Sequence, residues 1–173
     1  EEQNAILENA TPEFRNIVVV QEMAEHLNIL KKVAVGKKFT DFEMADTQGK
    51  MHKLSEYAGQ GKLVLLDFWA SWCPPCRAEM PNIVAAYKQY KSKGFEVVGV
   101  SLDEKSADWT NALKTMGMTW PQLSDLQGWK NKAAAIYGVN SIPHSVLIDA
   151  QGTIVGKDLR GPKLQEELSK RLK

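Results

Sequence analysis

Apolar residues recur at steps of three or four along positions 11–33, where Phe14, Ile17, Val20, Ala24, Leu27 and Leu30 fall on one stripe, and that spacing predicts an amphipathic helix. Thr11 suits the N-cap and Pro12 the first turn, while Glu13 near the start and Lys31–Lys32 at the end match the helix dipole. A strand over Ile17–Val20 is the competing reading. After Val35-Gly36 the elements shorten. Phe39–Ala45 and Lys50–Leu54 flank Thr47-Gln48-Gly49, which predicts a hairpin. Leu63–Trp69 is a compact apolar run suited to a central strand, and a long helical pattern follows from Pro74 to about Tyr90. Beyond it the pattern predicts a strand at Phe95–Leu102 and helices at Ser106–Met116 and Lys130–Tyr137. Strands at His144–Asp149 and Thr153–Lys157 then enclose a turn at Gln151-Gly152, and a closing helix starts near Pro162. Strands alternating with helices imply an α/β fold whose parallel or mixed sheet is covered on both faces. Residues 1–35 read as an N-terminal helical extension and residues 36–173 as the main domain.

Composition narrows the function classes. A chain of 173 residues, 43% apolar and 25% charged, suffices for one well-cored domain and an appendage. Lysine and arginine number 22 against 21 acids, so no charge excess points to nucleic acid or to an anionic membrane as the main partner. Lys88, Lys91 and Lys93 read as a solvated helix face. The longest apolar stretches, Leu63–Leu66 and Ile17–Val20, fall far short of the ~18 residues of a spanning helix. A start at Glu-Glu-Gln, with no basic-then-apolar segment before it, reads as the product of processing or trimming. No internal repeat or phosphate-cradling glycine motif is evident.

Two cysteines, with two residues between them, are too few for a disulfide-stapled scaffold and half of what a structural zinc site needs. A metal would require His26, His52 or His144 to join them, and none stands at ligand spacing. The chemistry is therefore local to Asp67-Phe68-Trp69-Ala70-Ser71-Trp72-Cys73-Pro74-Pro75-Cys76-Arg77-Ala78-Glu79-Met80-Pro81. A strand runs into a turn and then a helix, so Cys73 falls at a helix N-terminus. Unpaired N–H groups and the positive dipole end there favour the thiolate, the attacking species. Cys76 lies one turn on and on the same side, positioned to close a ring with Cys73 or to resolve a mixed disulfide. Pro74 and Pro75 are tolerated because the amides they lack would be unpaired in a first turn. Pro81, inside the helix, removes a backbone bond and predicts a kink.

This stretch resembles the active site of the thioredoxin superfamily, and Trp-Cys-Pro-Pro-Cys-Arg-Ala-Glu-Met-Pro is similar to its TlpA/ResA-like branch, related to the AhpC/TSA proteins. The similarity spans roughly residues 36–173. It implies a thioredoxin-like fold: a central mixed sheet flanked by helices, with an N-terminal hairpin and, here, an extra N-terminal helix. Cys73 then matches the nucleophile and Cys76 the resolving cysteine. Ile142-Pro143 matches the cis-proline that stands beside the cysteines and leaves backbone open to a substrate strand. Asp67 matches the buried acid that relays a proton for Cys76, and Glu79 the acid of the TlpA/ResA-like branch. Having both leaves open which one carries the proton. Trp72, Pro74, Pro75, Ile142 and Pro143 are the expected substrate contacts, whereas Trp69 reads as core. His144 departs from the small residue usual after the cis-proline, as a modulator of docking or potential or as an ordinary strand histidine.

The resemblance implies a thiol–disulfide oxidoreductase of the protein-disulfide reductase type, with no cofactor besides its redox-active disulfide. Its partners would be protein thiols and disulfides, plus an upstream membrane or soluble dithiol donor. The implied setting is the periplasm or cell envelope of a bacterium, in a role like cytochrome c maturation, with a missing N-terminal domain or membrane anchor. Two rivals remain. A peroxiredoxin-type peroxidase carries threonine three residues before its cysteine, where Ala70 stands here; a non-catalytic thioredoxin-fold binding module would not need a vicinal cysteine pair.

Overall fold

Seven successive residues that are all buried, Leu63–Trp69 (β3), form the middle of the sheet. A strand covered on both faces needs this unbroken apolar run rather than alternation. The computed structural model describes residue 5 and residues 8–173, without the side chain of Arg15. Glu43–Ala45 (β1) and Met51–Lys53 (β2) pair antiparallel as a separate hairpin. Its turn is closed by Asp46, whose Oδ1 accepts the N–H groups of Gln48 and Lys50. The main sheet adds Phe95–Ser101 (β4), Gln122–Leu123 (β5), His144–Ile148 (β6) and Ile154–Lys157 (β7), in the order β5-β4-β3-β6-β7. β4 runs parallel to β3 and β5, whereas β6 is antiparallel to β3 and to β7. The sheet is mixed, as the sequence pattern allowed.

Pro74–Tyr90 (α3) makes the crossover from β3 to β4 and continues through Pro81. Ser106–Thr115 (α4), Lys132–Tyr137 (α5) and Pro162–Arg171 (α6) complete the main helices. Short 3₁₀ turns occur at Leu54–Glu56, Lys91–Lys93 and Gly128–Lys130; the last replaces the first turn expected for the helix at Lys130, which begins at Lys132.

The single helix expected over 11–33 is two pieces, Pro12–Arg15 (α1) and Val18–Lys32 (α2). Ile17 adopts extended geometry as the cap of α2, and the N–H of Asn16 turns back to the carbonyls of Pro12 and Glu13. The strand reading of Ile17–Val20 is overturned, because helix begins at Val18. α2 meets the rest of the protein through its C-terminal half: Leu30, Ile29 and His26 surround Gly138, at the end of α5, closely enough that an added Cβ would lie 3.0–3.5 Å from them. Phe14, Ile17, Val18 and Val19 are exposed.

Candidate active site

The carboxyl ends of β3 and β4 lie side by side, Trp69 opposite Ser101, and in open α/β sheets chemistry gathers outside such ends. Beyond β3 the chain turns through Ala70-Ser71-Trp72 into Cys73, the N-cap of α3. Buried Asp103, just past β4, fixes that turn: its carboxylate accepts the backbone N–H and the hydroxyl of Ser71 and the hydroxyl of Ser101. Arg77, in the first turn of α3, donates to the carbonyl of Ser71. The turn is held from both ends.

Cys73 and Cys76 are joined as a disulfide, with Cα atoms 5.3 Å apart. The N–H of Cys76 donates to Cys73 Sγ at 3.2 Å, so an orphan amide of the helix start is aimed at this sulfur. The same contact favours negative charge there once the bond is reduced. Both cysteines are buried, Cys76 at 1% exposure and Cys73 slightly more open at 3%. The Ile142–Pro143 bond is cis, and the carbonyl oxygen of Ile142 stands 3.8 Å from Cys73 Sγ.

Asp67 is buried in β3. Burial, reinforced by the charge of Glu79 and opposed by Arg160, pushes its carboxyl up to about 7. Glu79 is half-buried on α3. Its Oε1 accepts the N–H of Gly161 at 2.8 Å and the side-chain amide of Asn82 at 2.7 Å. The two acids therefore differ in kind: one sits without polar support on Oδ2 among the described residues, and the other is tied to the start of α6.

His144 opens β6. Its Nδ1 lies 2.8 Å from Asp158 Oδ1 and its ring 6.0 Å from that of Phe68. Burial pulls its pKa down, partly offset by Asp158. Asp158 also accepts the N–H of Ser145, and Arg160 donates to the carbonyl of Pro143. Trp69 is wholly buried, with its indole N–H on Gln122 Oε1 at 3.1 Å. Trp72, by contrast, is exposed. Pro74 and Pro75 fill the first turn of α3 as exposed residues. His26 packs at Gly138, and His52 is held between Asp46 and Glu56.

The fold thus brings Cys73, Cys76, Trp72, Pro74 and Pro75 together on one turn, with Ile142 and Pro143 facing it from the loop before β6. Asp103, Asp158, Arg160 and Gly161 support this site and carried no signal in the sequence pattern. Asp103 follows β4, whereas Asp158, Arg160 and Gly161 share the loop between β7 and α6, and the nearest hint was the position of Asp103 directly after a predicted strand.

Residues 35–157 match the model of the AhpC/TSA family. The chain is 34% identical over 143 residues to the thiol-disulfide oxidoreductase ResA of Bacillus thuringiensis subsp. konkukian, covering 83% of this chain and 79% of that protein. With ResA of Bacillus subtilis it shares 33% identity over 125 residues, or 72% of this chain and 67% of the relative. Among solved structures, the thioredoxin domain of a thiol-disulfide oxidoreductase from Bacteroides vulgatus superposes with a TM-score of 0.74 at 32% identity, covering 81% of this chain and 99% of that one. A thiol:disulfide interchange protein from Bacteroides sp. gives a TM-score of 0.73 at 32% identity, with 82% and 91% covered. A helix-capping Cys73–Cys76 pair on a mixed five-stranded sheet, in a sequence this similar to those proteins, places the chain in the AhpC/TSA family, among the thiol–disulfide oxidoreductases of thioredoxin fold.

Proposed function

We propose that this oxidoreductase works as a reductase of protein disulfides in the bacterial cell envelope, in a role like cytochrome c maturation, as its likeness to ResA suggests. The observation that carries the reading is the asymmetry of the two sulfurs. Cys73 caps the helix with an amide N–H aimed at its sulfur and is the more open of two buried residues, and Cys76 lies one turn further in without such a donor among the described residues.

In the reduced protein the Cys73 thiolate attacks one sulfur of a substrate disulfide. A mixed disulfide forms, the substrate S–S bond breaks, and the departing thiolate takes a proton. Cys76 then gives up its proton and attacks Cys73 Sγ, which breaks the mixed disulfide and releases the second substrate thiolate. Two electrons pass to the substrate, and the Cys73–Cys76 bond remains. A dithiol donor, membrane-bound or soluble, returns the electrons by the same steps reversed, so no cofactor beyond the cysteine pair is required.

Asp67 is the better proton carrier for Cys76, because a carboxyl held near 7 exchanges protons under working conditions. Glu79, engaged with Gly161 and Asn82, acts by fixing the loop that carries Arg160. Trp72, Pro74, Pro75, Ile142 and Pro143 receive the substrate backbone around the sulfur.

Cys76→Ala cannot resolve the mixed disulfide, so the variant should capture its partner through Cys73 as a thiol-cleavable adduct in an envelope extract. A midpoint potential at or below about −250 mV fits a reductase, whereas one near −120 mV would assign an oxidant. Absence of any adduct with Cys76→Ala would remove protein disulfides as substrates.

A further inference from the structure

Two large aromatic side chains stand half out of the surface beside the disulfide. Trp72 directly precedes Cys73 and is 51% exposed; Trp129, from the 3₁₀ turn before α5, is 52% exposed. Their ring centres are 6.3 Å apart, with planes at 55°. They form one tilted apolar ledge. Exposed tryptophan is uncommon, and two in contact next to a reactive bond call for a partner that covers them.

The display of Trp129 is built into the fold. Leu126 has φ of 56°, a left-handed conformation that L side chains adopt at a cost of roughly 1 kcal/mol or more. The segment is pinned around that residue. Ser124 Oγ accepts the N–H of Leu126, and Asp125 accepts the N–H groups of Gln127 and Lys132 together with the side-chain amide of Asn131. Asn131 is fully buried and caps α5 through the N–H of Ala134. None of this buries the indole; it holds the indole out next to Trp72.

Disulfide exchange dictates what reaches the ledge. A substrate sulfur must arrive at Cys73 Sγ, and Trp72 is the adjoining residue, so the segment flanking the substrate cysteine lies over the two rings. Their 6.3 Å separation is close to the ~6.6 Å spanned by two residues of an extended chain. We propose that Trp129, together with Trp72, selects substrates: the preferred partner is an extended polypeptide bearing a bulky apolar or aromatic side chain within two residues of its reacting cysteine. This inference rests on the oxidoreductase reading, and adds the substrate class to it.

The test uses the reduced protein and peptides of matched length and charge, each with one cysteine disulfide-linked to 2-mercaptoethanol. One set carries Phe or Leu beside the cysteine and the other Ser or Gly. Second-order rate constants are taken from acid-quenched mass spectrometry, with hydroxyethyl disulfide as a reference oxidant. The wild type should prefer the apolar-flanked peptides by about tenfold. In Trp129→Ala that ratio should collapse toward one, and in Trp129→Phe it should largely survive. A wild type that exchanges with hydroxyethyl disulfide but shows no preference between the peptides overturns this inference alone, as does an undiminished ratio in Trp129→Ala. A wild type that exchanges with none of them overturns the redox reading as well.

Discussion

Asp67 stands directly opposite Ser145 across the β3–β6 ladder, and neither Oδ2 of the first nor Oγ of the second has a hydrogen-bond partner among the described residues. Two buried polar atoms that could satisfy each other do not, which leaves Asp67 dependent on its own protonation to avoid an unsupported charge.

That dependence has a direction in pH. Because the folded protein holds the Asp67 proton up to about 7, whereas an unfolded chain releases it near 4, its contribution to stability is complete below the ordinary carboxylate range. It is lost as pH rises through about 7. Urea unfolding of the oxidised protein at pH 4–8 should therefore show a decline that Asp67→Asn flattens. The difference between the two proteins should reach at most roughly 4 kcal/mol. Equal slopes would contradict the burial-driven shift.

Glu79 acts on Asp67 at a distance, as a like charge that raises its pKa. Glu79→Gln keeps an acceptor for the N–H of Gly161 but removes the charge, so the Asp67 titration, followed by carboxyl infrared absorption, should move below its wild-type position. Glu79→Ala also abandons the Gly161 and Asn82 bonds and should lose about 1–2 kcal/mol in urea.

Asp158 joins three groups: the ring of His144, the N–H of Ser145 and, at 3.7 Å, the guanidinium of Arg160. It does so at φ of 51°, which Asn tolerates well. In Asp158→Asn the His144 pKa, already lowered by burial, should fall further once its raising partner is neutral. Proton NMR of the imidazole reads this directly. A rise would show that Asp158 is not the group facing the ring.

Gly99 on β4 neighbours Asp67 in register. A Cβ there would lie 2.4 Å from Gln122 Nε2, and buried Gln122 is what satisfies the indole of Trp69. Gly99→Ala should therefore cost about 1–3 kcal/mol and shift the Trp69 fluorescence. An unchanged emission spectrum with full stability would mean that Gln122 relaxes freely.

Where a physical signal was local, the sequence was enough. β3 reads directly from an uninterrupted apolar run, and α3 from two prolines that can occupy only a first turn, with Cys73 as its cap. Periodicity misled over 11–33 because the stripe continues through the break. Phe14 and Ile17 keep helical spacing although each stands nearly half exposed, and a pattern of apolar positions cannot register that difference. β5 is two residues long behind Pro121, too short for alternation to be visible. At the site, the cysteines, the cis-proline and the two acids sit in recognisable stretches. The groups that orient them do not: Asp103, Asp158 and Arg160 act through tertiary contacts, and the left-handed backbone at Asp158 and Leu126 falls on residues that do not announce it.

The sealed position of Cys76 also guards the enzyme against damage. In the reduced protein an oxidant that reaches Cys73, the more open of the two sulfurs and the one whose thiolate is favoured by the Cys76 N–H, turns it into a sulfenic acid. Cys76, already one helical turn away, condenses with that group and expels water before a second oxygen is added. A stray chemical hit is thereby returned to the ordinary working cycle instead of ending it, and the burial that withholds Cys76 from substrates lengthens the service life of the catalyst.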